Sequence, residues 1–188
     1  MLNFTKIRKE IAKYDSEREN LIKKSRDVLK LSKRVIYSVH RNNLAEAFSL
    51  VKQLKKEKSI LDKIAKTNSA LFYEGSYSEA MQEYAEAMCY FSYIKQGKLP
   101  SKTSLAVSNN DYLLGICDFT GELTRKAVNF GIKGDSKQII KIKKLIDNIQ
   151  GEFLKFNLRN SFLRKKSDSI KYNLLKIEDL LYRLKTKR

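Results

Sequence analysis

Residues 17–41, ERENLIKKSRDVLKLSKRVIYSVHR, carry two opposed faces on one predicted helix. Leu21, Ser25, Val28, Ser32, Val35 and Val39 follow steps of four and three residues, the spacing that returns to one side of an α-helix. Lys23, Arg26, Lys30 and Lys33 keep the same steps two positions later, about 200° around the axis. One side is built for burial and the other is a row of positive charge. No glycine or proline interrupts the stretch.

The rest of the chain reads in the same way. Asn42-Asn43 marks a turn, and a second helix is predicted from Leu44 to Lys66. The pattern breaks around Thr67, Asn68 and Ser69, and a third helix is expected from Ser76 to Ile94. Lys95 to Lys102 holds the single proline and is the clearest loop. With Asn109-Asn110 as cap, a helix should run from Asp111 to Phe130. It ends at Gly131-Ile132-Lys133-Gly134, and Asp135 or Ser136 can cap its successor. Leu163, Ile170, Leu174, Ile177, Leu181 and Leu184 keep heptad spacing in a last helix, a stripe that requires a partner in this chain or another. No strand-like alternation, repeat or boundary stands out, so residues 1–188 are expected to form a single all-α domain.

Composition limits the function classes. The 188 residues include 39 Lys and Arg against 21 Asp and Glu, a formal charge of +18. Such self-repulsion suits a polyanionic partner. No run of eighteen apolar residues argues for a membrane span, and Met1 to Lys6 lacks the apolar core of a secretory signal. Cys89 and Cys117 suggest neither a metal pair nor a disulfide framework, so a reduced, cytoplasmic setting is expected.

Against this basic background the middle of the chain is inverted in charge. Between Phe72 and Glu122 lie Glu74, Glu79, Glu83, Glu86, Asp111, Asp118 and Glu122, with only Lys95, Lys98 and Lys102 as bases. Glu83 and Glu86 are three residues apart, and Asp118 and Glu122 four, so each pair projects from one helix face. Apolar neighbours surround both pairs. Buried carboxylates repel unless a cation joins them, and an all-oxygen donor set suits Mg²⁺ or Mn²⁺. Spacing alone leaves a second reading open, in which such pairs are solvated or bonded to lysines. A di-iron bundle needs Glu-x-x-His on two helices, and the only histidine, His40, follows neither pair. Gly115 and Gly121 interrupt the predicted helix of the second pair. Close helix packing is their expected cause, with close approach of a phosphate backbone as the alternative.

The segment Tyr112-Leu113-Leu114-Gly115-Ile116-Cys117-Asp118-Phe119-Thr120-Gly121-Glu122-Leu123-Thr124-Arg125 resembles the D-x-T-G-E-L-x-R segment of the translin/Trax family. Gln82-Glu83-Tyr84-Ala85-Glu86-Ala87 resembles its Q-E-Y-V-E-A motif. Ser25-Arg26-Asp27 with Ser32-Lys33-Arg34 and His40-Arg41 is similar to the family's first long helix. Ile170-Lys171-Tyr172 with Lys176-Ile177-Glu178-Asp179 is similar to the last. The likeness runs in order over residues 17–188.

The resemblance implies a bundle of about seven helices that assembles into an octameric shell around RNA. In Trax, carboxylates at the two motifs form a Mg²⁺-dependent endoribonuclease centre. Carried across by motif, these are Glu83, Glu86, Asp118 and Glu122, as metal ligands and catalytic groups. Translin subunits lack the aspartate of the second motif, and Asp118 makes this chain Trax-like. It has no long basic N-terminal tail of the eukaryotic Trax kind, so a homo-oligomer of catalytic subunits is the implied assembly. Single-stranded RNA, with single-stranded DNA as a wider ligand class, would be held by Lys23, Arg26, Lys30, Lys33, Arg34, Arg159, Arg164, Lys165 and Lys166 through phosphate contacts that do not read bases. Tyr73, Tyr77, Tyr84, Tyr90 and Phe91 either stack on unpaired bases or belong to the core. The competing function is a non-catalytic single-strand binder of translin type. A helical scaffold or membrane-surface protein gives the carboxylates no role.

Overall fold

The computed structural model describes residues 4–159 and 161–186. Among them are seven α-helices and one short 3-10 turn, with no strand. The helices are α1 (Phe4–His40), α2 (Leu44–Ala65), α3 (Gly75–Gln96), α4 (Lys102–Leu105), α5 (Asn109–Ile132), α6 (Ser136–Leu154) and α7 (Phe162–Thr186). None is long and apolar enough to cross a membrane. Contacts gather the chain into two compact units, residues 1–107 and 108–188.

The first unit rests on the face read from residues 17–41. Leu21, Ser25, Val28, Ser32, Val35 and Val39 are all fully buried on α1. That side packs on α2 and α3. Ser25 and Ser32 meet no hydrogen-bond partner; their small size admits the neighbouring helices. Asn43 caps α2 by accepting from the Glu46 amide, and Gly97 ends α3 in the left-handed region at φ 69°. In α2 the buried Lys58 ammonium donates to Asp62 at 2.7 Å and to the Ala106 carbonyl at 2.8 Å. This ties the segment after α4 down to α2. Tyr77 donates to the same Asp62, and burial with that carboxylate pushes the Tyr84 phenol up to about 12.

Helix α1 starts at Phe4, thirteen residues before the expected start. Its early turns are exposed, and the ties that hold them are distant in sequence. Tyr14 and Arg18 both donate to Glu74, which periodicity has no means of indicating. The Tyr14 hydroxyl holds the Glu74 carboxyl below the usual range, with Arg18 assisting. A depressed carboxyl pKa adds stability above the unfolded value that is lost as pH falls through the folded one. Amide exchange over residues 4–16 is therefore expected to accelerate below about pH 4, the ordinary glutamate range. Glu74→Gln should show that fast exchange already at neutral pH.

The second unit is a three-helix arrangement of α5, α6 and α7, each packed on the other two. The apolar stripe of α7 finds its partner inside the chain, with Leu163, Ile170 and Ile177 buried. Contacts run Asp118 to Lys166, Thr120 to Asn173 and Gly131 to Leu180, so α5 and α7 point the same way. Asp135 caps α6 as expected. The cap of α5 is Ser108 rather than Asn109: its hydroxyl accepts from the Asp111 amide at 3.0 Å and donates to the Asp111 carboxylate at 2.7 Å. Asp111 is thus a helix-start residue.

Candidate metal centre and nucleic-acid interface

Two members of the acidic run are accounted for by folding, Glu74 by Tyr14 and Arg18, and Asp111 by the α5 cap. Glu79 is exposed. Glu83, Glu86, Asp118 and Glu122 are the four that stand at the two motifs. In the first unit, Glu83 and Glu86 lie one turn apart on α3, Glu83 half-buried and Glu86 buried among Tyr84, Ala85, Ala87 and Met88 in sequence, all buried. Glu79, one turn before Glu83, faces solvent, so burial deepens along this face from Glu79 to Glu86.

In the second unit, Asp118 and Glu122 are half-buried on one face of α5. Burial raises the Asp118 pKa, the Lys166 ammonium opposes that, and the Glu122 charge adds to it. Burial wins over the salt bridge. Lys166, reaching across from α7, donates to Asp118 at 2.6 Å, with side chains 23% and 31% exposed. Arg125 stands 4.0 Å from Glu122. The Cys117 thiol beside them is buried, and that burial pushes its pKa up to about 12.

Among the described residues no group of three or more His, Cys, Asp or Glu side chains stands ready to hold a metal. Mg²⁺ does not demand one, because it keeps several waters and takes one or two carboxylates plus substrate phosphate oxygens. The Asp118–Glu122 pair fits that requirement in kind: hard oxygen donors, shared face, partial burial and mutual repulsion. His40 belongs elsewhere, its Nδ1 3.1 Å from the Tyr90 hydroxyl.

Thr120, between the two carboxylates, donates to the Cys117 carbonyl and accepts from Asn173 of α7 at 2.9 Å. The partly buried bond to Asn173 fixes α5 against α7 and with it the bearing of Asp118. Packing does not explain Gly121. A Cβ there would meet only the Asn173 amide at 3.7 Å, an ordinary contact. Gly121→Ala is therefore expected to raise the thermal midpoint, adding up to about 1 kcal/mol of helix stability. A lowered midpoint would restore the packing explanation.

The basic residues separate into two groups. Lys23, Arg26, Lys30, Lys33 and Arg34 are exposed on α1, opposite its buried face. Arg159, Arg164 and Lys165 are also exposed, before and at the start of α7. Lys166 is not available in the same way, being bonded to Asp118. Of the aromatic candidates, Tyr77, Tyr84, Tyr90 and Phe91 are core, and Tyr73 is 89% exposed. One aromatic escaped the sequence reading. Tyr37 extends the row Lys23, Arg26, Lys30, Lys33 by one more four-residue step, and it is 55% exposed. It lines a shallow depression with Leu29, Lys30, Lys33 and Arg34, and Arg41 lies 5.6 Å from its ring centre. The step pattern that found the lysines would have found it.

Fold and charge define a strongly basic, all-helical protein with one stretch, residues 72–122, in which acids outnumber bases. The chain belongs to the translin family, whose model matches residues 16–188 and so spans both units. Its long similarities are to X-type members. It is 28% identical over 185 residues to the Translin-associated protein X homolog of Schizosaccharomyces pombe, covering 88% of this chain and 80% of that one. It is 26% identical over 228 aligned positions to Translin-associated protein X of Pongo abelii, covering 100% and 79%. Translin of Gallus gallus matches over 74 residues, 39% of this chain and 32% of its own length, at 39% identity. Among solved structures, apo-NeC3PO superposes with a TM-score of 0.90 at 28% identity over 98% of both chains. AfC3PO gives 0.89 at 25% identity over 100% and 99%.

Proposed function

We propose that this chain is a Mg²⁺- or Mn²⁺-dependent endoribonuclease that hydrolyses single-stranded RNA, working as a cytoplasmic homo-oligomer. The observation that carries the reading is Asp118, a half-buried carboxylate sharing a helix face with Glu122 in a protein of charge +18. Folding alone is served better by an apolar residue there. The family resemblance adds Glu83 and Glu86, at the other motif, to the proposed ligands.

When bound, the divalent ion polarises a phosphate oxygen and lowers the pKa of water. The residues supply the rest. Asp118 and Glu83 would hold the ion, and Glu86 or Glu122 would share in that or accept a proton from the attacking water. Thr120 and Asn173 keep α5 from turning the carboxylate away. The α1 basic face holds phosphates, and Tyr37 offers a ring on which an unpaired base stacks.

A non-catalytic binder remains the second reading, and the Lys166–Asp118 bridge favours it by neutralising the carboxylate without a metal. Incubation of the purified chain with end-labelled single-stranded RNA in Mg²⁺, and then in EDTA, separates the two. Fragments in Mg²⁺ alone support the nuclease; retention without fragments in both supports the binder. A duplex of the same sequence belongs in the series, because AfC3PO has been solved with duplex RNA. Equal cutting of both would remove the single-strand restriction.

A further inference from the structure

We infer that Lys166 is a resident cation for Asp118, neutralising it while the divalent ion is absent and passing to a substrate phosphate once that ion occupies the carboxylate. The inference rests on the metal-binding reading of Asp118 and gives that site a further residue, on a different helix.

The geometry has three parts. The bond is short, 2.6 Å between Lys166 Nζ and Asp118 Oδ2, and it crosses from α7 to α5 rather than linking neighbours on one helix. Both side chains are largely shielded, so each ion stands in for water the other has lost. Lys166 also has somewhere to go. It sits on the first turns of α7 beside exposed Arg164 and Lys165, and its ammonium is 5.6 Å from the ring of the exposed Phe162. Its flexible four-carbon stem lets the ammonium shift without moving the helix.

Electrostatics supplies the reason for such a residue: Lys166 gives Asp118 a resident positive charge that an incoming phosphodiester can take up once the carboxylate is engaged by the ion. A divalent ion and an ammonium on the same carboxylate oxygen repel, so the ion displaces Lys166 from Asp118 toward the incoming anion. Lys166 then acts as a positioning residue before metal arrives and as a phosphate contact afterwards.

Two measurements on the full chain test this: Mn²⁺ titration by calorimetry without RNA, and the salt dependence of binding a non-cleavable 2′-O-methyl single strand in Mn²⁺ and in EDTA. Lys166→Met should bind Mn²⁺ about tenfold more tightly than the parent, since a neighbouring opposite charge changes a carboxylate's cation affinity by at least about that factor. Its log–log salt slope for RNA should be lower than the parent's by about 0.7 in Mn²⁺, one phosphate contact, and equal to the parent's in EDTA. Lys166→Arg should keep the parental slope. Lys166→Gln repeats the comparison with a side chain able to hydrogen-bond Asp118, should methionine destabilise the second unit. Unchanged or weaker Mn²⁺ affinity in both neutral variants, or slopes that coincide with the parent's in both buffers, would overturn the inference and leave the metal site standing. If the parent's Mn²⁺ binding is absent or survives Asp118→Asn, the metal reading of Asp118 fails instead, and this inference with it.

Discussion

Asp118→Asn is expected to slow RNA cleavage at saturating Mg²⁺ by at least about 100-fold, a loss of roughly 2.7 kcal/mol of transition-state stabilisation. The amide keeps the shape of the carboxylate and still accepts a hydrogen bond from Lys166, but it carries no charge for a hard cation. Single-turnover cleavage with enzyme in excess reads the effect without interference from product release. The same substitution should not weaken the fold. Burial raises the Asp118 pKa despite Lys166. A carboxyl whose folded pKa lies above its unfolded one opposes folding at neutral pH, and that cost fades as pH falls. Without metal, the thermal midpoint of the variant should equal or exceed the parent's. With Mn²⁺ added, the parent's midpoint should rise and the variant's should not. Loss of activity without loss of stability separates a functional carboxylate from a structural one. A variant that cuts at the parental rate would remove Asp118 from the site.

The second large effect concerns the α1 basic face. Replacing Lys23, Arg26, Lys30 and Lys33 together by glutamine should weaken binding of a single-stranded RNA by two to three orders of magnitude at about 0.1 M salt. Four lost phosphate contacts on a single strand correspond to a fall of about 2.8 in the log–log salt slope. All four side chains are exposed and lie opposite the buried face, so the fold should survive, as circular dichroism would check. The loss should be similar for RNAs of different sequence, because these contacts hold phosphates and do not read bases. An unchanged slope would mean that RNA passes elsewhere on the surface.

These two predictions draw on features of unequal visibility in the sequence. The α1 and α7 stripes were legible because burial repeats with the helical period, and every residue of the α1 apolar face is buried. The Asp135 cap is legible because a cap is a local bond, whereas Asn43 reads as a turn residue and proves to cap α2. Ser108 was passed over because Asn109 and Asn110 are also good caps, and only the backbone decides which amide is left unpaired. The early turns of α1 were missed since Glu74, their anchor, lies more than fifty residues away. In the sequence Lys166 is one more surface base for the same reason: nothing local marks it as the partner of a carboxylate on α5. Pairings across helices are set by packing, and packing is invisible to periodicity.

Of the candidate site, the residue types and their helix faces were readable, as were the two motifs that carry the family likeness. The possibility of a lysine-bonded acid pair was also foreseen, though the lysine comes from another helix. A mid-helix glycine such as Gly121 points first to close packing, but the space beside it leaves room for a methyl group.

Anomalous scattering from a crystal of the full chain grown in Mn²⁺ bears most directly on the claim that these carboxylates are metal ligands. The account predicts a peak about 2 Å from an Asp118 oxygen, shared with at least one of Glu83, Glu86 and Glu122, with the Lys166 ammonium moved off that oxygen. Saturating Mn²⁺ that leaves no peak at Asp118, with the lysine still in place, would contradict it.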